Sequence, residues 1–148
     1  MMIEPFDDNY FMKQALVEAR HAAEEGEVPV GAVVVCNGRI IARAHNQTER
    51  LQDPTAHAEM LAITAATSVM GAKYLPQCSL YVTVEPCIMC GGAIGWAHLG
   101  TIVFGTSDEK RGYAAYAPKS FHPKAVVRSG VMEEECRRLM TDFFRAKR

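Results

Sequence analysis

Leu80-Tyr81-Val82-Thr83-Val84-Glu85-Pro86-Cys87-Ile88-Met89-Cys90 is the stretch on which the fold turns. Its first part reads as a strand, Ser79 to Val84, with Leu80, Val82 and Val84 alternating against Tyr81 and Thr83. The strand feeds directly into Glu85-Pro86-Cys87. Proline suits the first helical position, where its missing N–H costs nothing, so a helix is expected from about Cys87 toward Trp96. Cys87 and Cys90, three apart, share one face of that helix. Both stand at its N-terminus, where the dipole favours thiolate over thiol.

Upstream, Asp53-Pro54-Thr55 opens a second helix, with Thr55 as the cap and Ala56 to Met70 rich in helix formers. His57 and Glu59 fall in its first turn. His57, Cys87 and Cys90 therefore offer one imidazole and two thiolates, all at helix N-termini. Zinc prefers such donors, and a catalytic zinc site uses three protein ligands with the fourth position open. Positions two apart do not share a helix face. Glu59 is thus expected beside the metal, as an acid that handles protons, and not as a ligand. Taken singly, the motifs are weak. A Cys-x-x-Cys also serves redox chemistry or half of a structural metal site, and a His-x-Glu is most often a surface pair. A closed structural zinc site needs a fourth ligand, and Cys36, Cys78 and Cys136 sit in no second Cys-x-x-Cys.

The other elements frame this pair. Asn9 to Glu25 reads as an amphipathic helix, capped by Asp7, Asp8 or Asn9 and ended by Gly26. Pro29 to Cys36 is a near-continuous apolar run, the pattern of a strand buried on both faces. Asn37-Gly38 signals a two-residue hairpin, with Arg39 to His45 as the return strand. Asn46 follows, where an amide is able to read the edge of a base or simply to shape the turn. Thr101 to Gly105 is a short buried strand. Thr106 to Lys124 is irregular and carries Asp108, Lys110, Arg111, Tyr113, Tyr116 and Phe121. Cations interleaved with aromatics are what stacking on unpaired bases requires; an ordinary loop pinned by its aromatics has the same composition. Ala125 to Val127 is a last strand. Met132 to Lys147 is a final helix with Cys136, Leu139, Met140 and Phe143 inward. The expected fold is α/β: a three-layer α/β/α domain around a mixed five-stranded sheet, with the metal ligands at strand-to-helix turns.

The chain has 148 residues, 49% of them apolar, which suits a single domain over residues 1–148. It contains no apolar run of membrane-spanning length. Met1 to Asp8 lacks the basic flank of a signal peptide. Five cysteines, two of them committed to the motif, fit a reducing cytoplasm better than a disulfide framework. A net charge of −1 conceals an asymmetry. Residues 1–100 hold 6 Lys and Arg against 11 Asp and Glu, whereas residues 101–148 hold 10 against 6. The basic C-terminal third is either a face for a polyanion or a solvated helix surface.

A His-x-Glu followed by Pro-Cys-x-x-Cys is the signature of the zinc-dependent nucleobase deaminases. The chain resembles the bacterial tRNA adenosine deaminases of the cytidine-deaminase superfamily over almost its whole length. The resemblance is carried by Glu27-Val28-Pro29-Val30-Gly31-Ala32, by Asp53 to Glu59, by Leu80 to Cys87 with Cys90, by Val103-Phe104-Gly105 and by Asp142-Phe143-Phe144-Arg145. It implies a cytidine-deaminase-like fold, a homodimer with one zinc per chain, and conversion of adenosine to inosine at the wobble position of a tRNA anticodon. It also implies that His57, Cys87 and Cys90 hold the zinc and that Glu59 shuttles protons. Asn46 would contact the target base, with Asp108, Lys110 and Phe144 near the anticodon loop. Two stretches depart from the family. Trp96-Ala97-His98-Leu99 stands where a Ser-Arg-Ile-like step is usual, and a Trp there resembles the free-base deaminases. Tyr113 to Pro123 is shorter than the usual Gly/Ser-rich segment. The alternative activity is deamination of a free base or nucleoside of guanine, cytosine or adenine type. A non-catalytic zinc module is a third reading, against which Glu59 weighs, since a purely structural site has no use for it.

Overall fold

Asn37 and Gly38 both take positive φ, 52° and 74°, the geometry of a hairpin turn whose twist matches its strands. They join β1 (Gly31–Cys36) to β2 (Arg39–His45) in an antiparallel pair. The structure, a computed structural model, describes residues 6–147. Residues 1–5, within the stretch read for a signal peptide, and Arg148 of the basic set lie outside the described residues. Three more strands complete the sheet: β3 (Cys78–Val84), β4 (Thr101–Thr106) and β5 (Val126–Ser129). The order is β2-β1-β3-β4-β5. β1 is antiparallel to β2 and β3, whereas β3, β4 and β5 run parallel. The sheet is therefore mixed and five-stranded, as expected.

Helices cover both faces. On one, Phe11, Met12 and Leu16 of α1 (Asp8–Glu24) and Cys136 of α5 (Glu133–Ala146) pack on Val33, Val35, Tyr81 and Val103. On the other, Ala58, Ala62 and Ala66 of α2 (Ala58–Met70) and Ile94 of α3 (Ile88–Trp96) pack on Ala32, Val34, Leu80, Val82 and Ile102. Among the described residues no helix is long and apolar enough to cross a membrane.

Several elements differ from expectation for local reasons. β3 does not alternate between core and solvent, because α1 covers its second face. Tyr81 and Thr83 are buried with their hydroxyls satisfied: Tyr81 Oη donates to Asp8 Oδ1 at 2.6 Å, and Thr83 Oγ1 accepts from Gly31 N at 3.2 Å. α2 starts at Ala58, with His57 as its N-cap. Thr55 does not cap it, because Asp53 Oδ1 accepts from both the amide and the hydroxyl of Thr55. α3 starts at Ile88, with Cys87 as N-cap and Pro86 one residue outside. α1 is capped by Asp7, whose carboxylate accepts from Tyr10 N at 2.9 Å. The irregular stretch contains a short helix, α4 (Tyr113–Tyr116).

The strand directions decide where a site can form. β2 and β3 are each antiparallel to β1, and β4 is parallel to β3. The C-terminal ends of β2, β3 and β4 thus lie along one edge of the sheet. The loops that leave there carry Asn46 to His57, Glu85 to Cys87 and Ser107 to Gly112. In open α/β sheets this edge is where ligands bind.

Candidate active site

The loop after β2 delivers His57 and the turn after β3 delivers Cys87, each as the N-cap of a helix. Cys87 Sγ accepts from Cys90 N at 3.5 Å, so the thiol takes the capping role that a serine or aspartate oxygen usually fills. His57 Nδ1 lies 3.6 Å from Cys87 Sγ and 3.5 Å from Cys90 Sγ. Among the described residues these three are the one group whose donor atoms could jointly hold a metal, all within 4.8 Å of one another. Ligands at zinc distances in a tetrahedron stand about 3.5–3.8 Å apart, as the bond lengths require. The spacing of this donor set therefore fits zinc. Cys36, Cys78 and Cys136 are buried in the two cores and bring no fourth ligand.

The charges at this corner are coupled. A hydrogen bond with Cys90, aided by His57 and by Cys90 N, draws the Cys87 thiol down to about 4. The same contact, together with burial, pushes Cys90 well above its ordinary value. The hydrogen bond to Cys87 raises His57. Cys87 is drawn toward thiolate while its neighbour Cys90 resists; a divalent cation would complete this corner, since it holds both sulfurs deprotonated.

Glu59 is 4% exposed and contacts Cys90. Burial lifts its carboxyl to about 7, against the opposing pull of its own backbone N–H and of His57. A carboxyl that holds or releases a proton near neutrality is suited to general acid–base work.

A cavity of about 670 Å³ opens over His57, Glu59 and Cys87, within the size range of small-molecule sites, about 300–1,000 Å³. One wall is Val28, Val30, Asn46 and Thr48; the other is Asp108, Lys110 and Arg111, with Met140 and Phe144 of α5. The structure therefore brings Asn46, Asp108, Lys110 and Phe144 to the same cavity as His57 and Cys87. Asn46 is buried, and its amide is engaged: Nδ2 donates to Val28 O and Oδ1 accepts from Thr48 N, both at 3.3 Å. Asp108 Oδ1 accepts from Lys110 N at 3.1 Å and Arg111 N at 3.0 Å, which turns both cations onto the cavity rim.

Sequence reasoning missed the two carboxylates that brace the walls. Glu27 is 1% exposed and accepts from Glu49 N and Arg50 N. Glu85 accepts from Asp108 N and Ala114 N. At Glu85 the one signal was an acid inside an apolar stretch with no Lys or Arg within four residues; Glu27, after Glu24-Glu25-Gly26, gave none. The glycines after Cys90 keep one face of α3 thin. A side chain on Gly91 would meet Tyr113 and Ser120, and one on Gly95 would strike the Ser120 carbonyl. The thin helix face thus accommodates this chain's own 113–121 segment, and only Gly92 is left open.

Residues 5–106 match the family model described as the cytidine and deoxycytidylate deaminase zinc-binding region. The tRNA-specific adenosine deaminase of Bacillus subtilis (strain 168) is 47% identical over 146 residues, covering 95% of this chain and 91% of the relative. A solved structure from biochemical and structural studies of A-to-I editing by tRNA:A34 deaminases at the wobble position is 43% identical. It superposes with a TM-score of 0.82 over 88% of this chain and 98% of that one. A guanine deaminase structure from Bacillus subtilis is 37% identical, with a TM-score of 0.66 over 79% of this chain and 72% of that one. The chain belongs to the cytidine and deoxycytidylate deaminase family, in its branch of tRNA-specific adenosine deaminases.

Proposed function

We propose that this chain is a zinc-dependent hydrolytic deaminase that converts adenosine to inosine at the wobble position of a tRNA anticodon. The observation that carries the reading is a buried proton carrier, Glu59, beside a three-donor metal site inside a cavity with a cationic rim. His57, Cys87 and Cys90 would hold the zinc. When bound, zinc supplies a Lewis-acid charge that makes water acidic enough to react near neutral pH. Glu59 takes the proton from the attacking water as a C6–O bond forms on the adenine. It gives that proton to the ring nitrogen, then carries the proton of the new C6 hydroxyl to the exocyclic amine, and the C6–N bond breaks to release ammonia as the C6=O bond forms. Asn46, in the wall beside the base, contacts it. Asp108, Lys110 and Phe144 hold the anticodon loop, whose unpaired bases enter such a pocket at low cost.

The chain acts as one domain in the cytoplasm, where its five cysteines form no disulfide and Cys36, Cys78 and Cys136 stay thiols. It works as a homodimer. Ile88 and Trp96, 54% and 82% exposed, lie on one stripe of α3 with the open Gly92 between them, an apolar surface suited to a second copy. Light scattering should give twice the 16.3 kDa chain mass; the single-chain mass at micromolar concentration refutes the dimer.

The guanine deaminase likeness supports a free-base activity less well. Trp96, the residue that resembles that class, is outside the cavity and open to solvent. The test is incubation of the purified zinc protein with total tRNA and, separately, with free bases and nucleosides. Inosine in tRNA is the expected product; ammonia from a free base without inosine in tRNA overturns the reading.

A further inference from the structure

Two buried carboxylates, Glu85 lining the cavity and Glu27 behind its Asn46–Thr48 wall, take no part in the chemistry above. Glu27 sits in the link between α1 and β1, and Glu85 at the end of β3 just before Pro86 and Cys87. Neither has a cation partner among the described residues. Burying a charge without one is costly unless hydrogen bonds replace the lost water. Here backbone N–H groups of two loops do so. Glu27 Oε2 accepts from Arg50 N at 2.8 Å, and Oε1 from Glu49 N at 3.0 Å and the Thr48 hydroxyl at 3.5 Å. Glu85 Oε1 accepts from Asp108 N at 3.0 Å and Oε2 from Ala114 N at 3.1 Å.

The geometry around each carboxylate is shaped to receive it. Residues 47–53 fold into one compact turn, with Leu51 N bonded to Gln47 O and Asp53 N to Thr48 O. The amides at the front of that turn converge on Glu27. On the other side, Gly112 leaves the space that Glu85 fills: a side chain there would collide with the carboxylate. Gly112 N closes the turn on Asp108 O at 2.9 Å, and Gly112 bridges to Cys87.

The two loops are the opposing walls of the cavity. One carries Asn46 and Thr48, the other Asp108, Lys110 and Arg111. We infer that Glu27 and Glu85 are paired positioning residues, each fixing one wall, so that together they set the width of the substrate cleft and the aim of its polar side chains. They act through the loops and touch no reacting atom. Charge-assisted bonds to several amides at once give a fixed geometry that a neutral acceptor cannot reproduce. A Gln at either position keeps one oxygen and turns an NH₂ donor toward an N–H donor.

The inference rests on the tRNA reading for its kinetic part only. Glu27→Gln and Glu85→Gln are compared with wild type in the zinc-loaded protein. With an anticodon stem-loop as substrate, KM is expected to rise about ten- to a hundredfold, the scale of a lost charged hydrogen bond. The kcat and zinc content should stay within about twofold of wild type. Hydrogen exchange, which needs no substrate, should quicken in residues 47–53 alone for Glu27→Gln and in 107–114 alone for Glu85→Gln. If either Gln variant fails to fold, Glu27→Asp or Glu85→Asp is held to the same criteria, with a smaller rise in KM. An unchanged KM with a lower melting temperature and lower kcat overturns the inference, as does exchange that quickens throughout the chain or nowhere. Wild type without tRNA turnover removes the tRNA reading and leaves the exchange result to decide the positioning role.

Discussion

His57 and Cys87 are each the N-cap of a helix packed on the sheet, whereas Asp108 and Lys110 ride a turn fastened by one carboxylate. The metal corner and the cavity wall are therefore held in different ways. In the corner, backbone geometry places the donor atoms: a strand ends, a helix begins, and the cap points at the neighbouring cap. In the wall, a loop is aimed by a side chain from elsewhere. A cap is specified locally, so its chemistry is written in consecutive residues. An aimed loop is specified by a distant partner, and its residues say little by themselves. In the proposed function the difference would also divide the work, with bond making at the corner and recognition at the wall.

Two experiments set the two regions against each other, and a third serves as a control away from both. The largest effect is expected at the corner. A Cys87→Ala, Cys90→Ala double variant should lose its zinc, from about one per chain to none, and all deaminase activity with it, because a single imidazole cannot hold the ion. Elemental analysis that finds zinc at full occupancy in this variant breaks the assignment. At the wall the effect should be on binding. Lys110→Ala with Arg111→Ala should weaken tRNA binding about tenfold at low salt. Each phosphate that the variant no longer neutralises should flatten the salt dependence by about 0.7 on the log–log slope. Turnover at saturating tRNA should be unchanged; a fall in kcat at saturation would mean that wall and corner are not separable.

The smallest effect belongs far from both. Arg128 Nε donates to Asp8 Oδ2 at 2.8 Å and Nη2 to Oδ1 at 3.0 Å, tying β5 to the start of α1. These bonds hold the Asp8 carboxyl below its usual range. The stability they add is present above the ordinary carboxylate pKa, about 3.9, and is lost as pH falls through the depressed folded value. Both side chains are partly exposed, so Arg128→Ala should cost only about 0.2–1 kcal/mol at neutral pH. Denaturant melts of wild type and variant should converge below the carboxylate range. Activity should not change, and an activity loss would couple this edge to the cavity.

What the sequence made legible follows the same division. The hairpin was readable because Asn37-Gly38 favours only one turn. His57, Glu59, Cys87 and Cys90 were readable from two short motifs, although both helices begin one or two residues later than propensity indicated. There, Asp53 captures Thr55, and Cys87 itself provides the cap. Glu27 and Glu85 were not readable, because their partners are amides 22, 23, 23 and 29 residues away. Phe144 came from family resemblance alone, whereas Asn46 stood out as an amide at a turn and Asp108 and Lys110 within the irregular stretch, and α5 brings Phe144 to the cavity from the far end of the chain. The pattern of β3 misled, since a strand covered on both faces buries the residues that alternation assigns to solvent.

The division between chemistry and recognition meets its most direct test in Glu59→Ala, with inosine formation and tRNA affinity measured on the same zinc-loaded preparation. Glu59 is no metal ligand, and Glu85, the other acid of the corner, is occupied by the amides of Asp108 and Ala114. No second carboxyl there is free to carry the proton. Turnover should fall by roughly two to four orders of magnitude or more, while zinc content and tRNA affinity stay within about twofold of wild type. Near-normal turnover, or a loss of tRNA binding as large as the loss of turnover, contradicts the account.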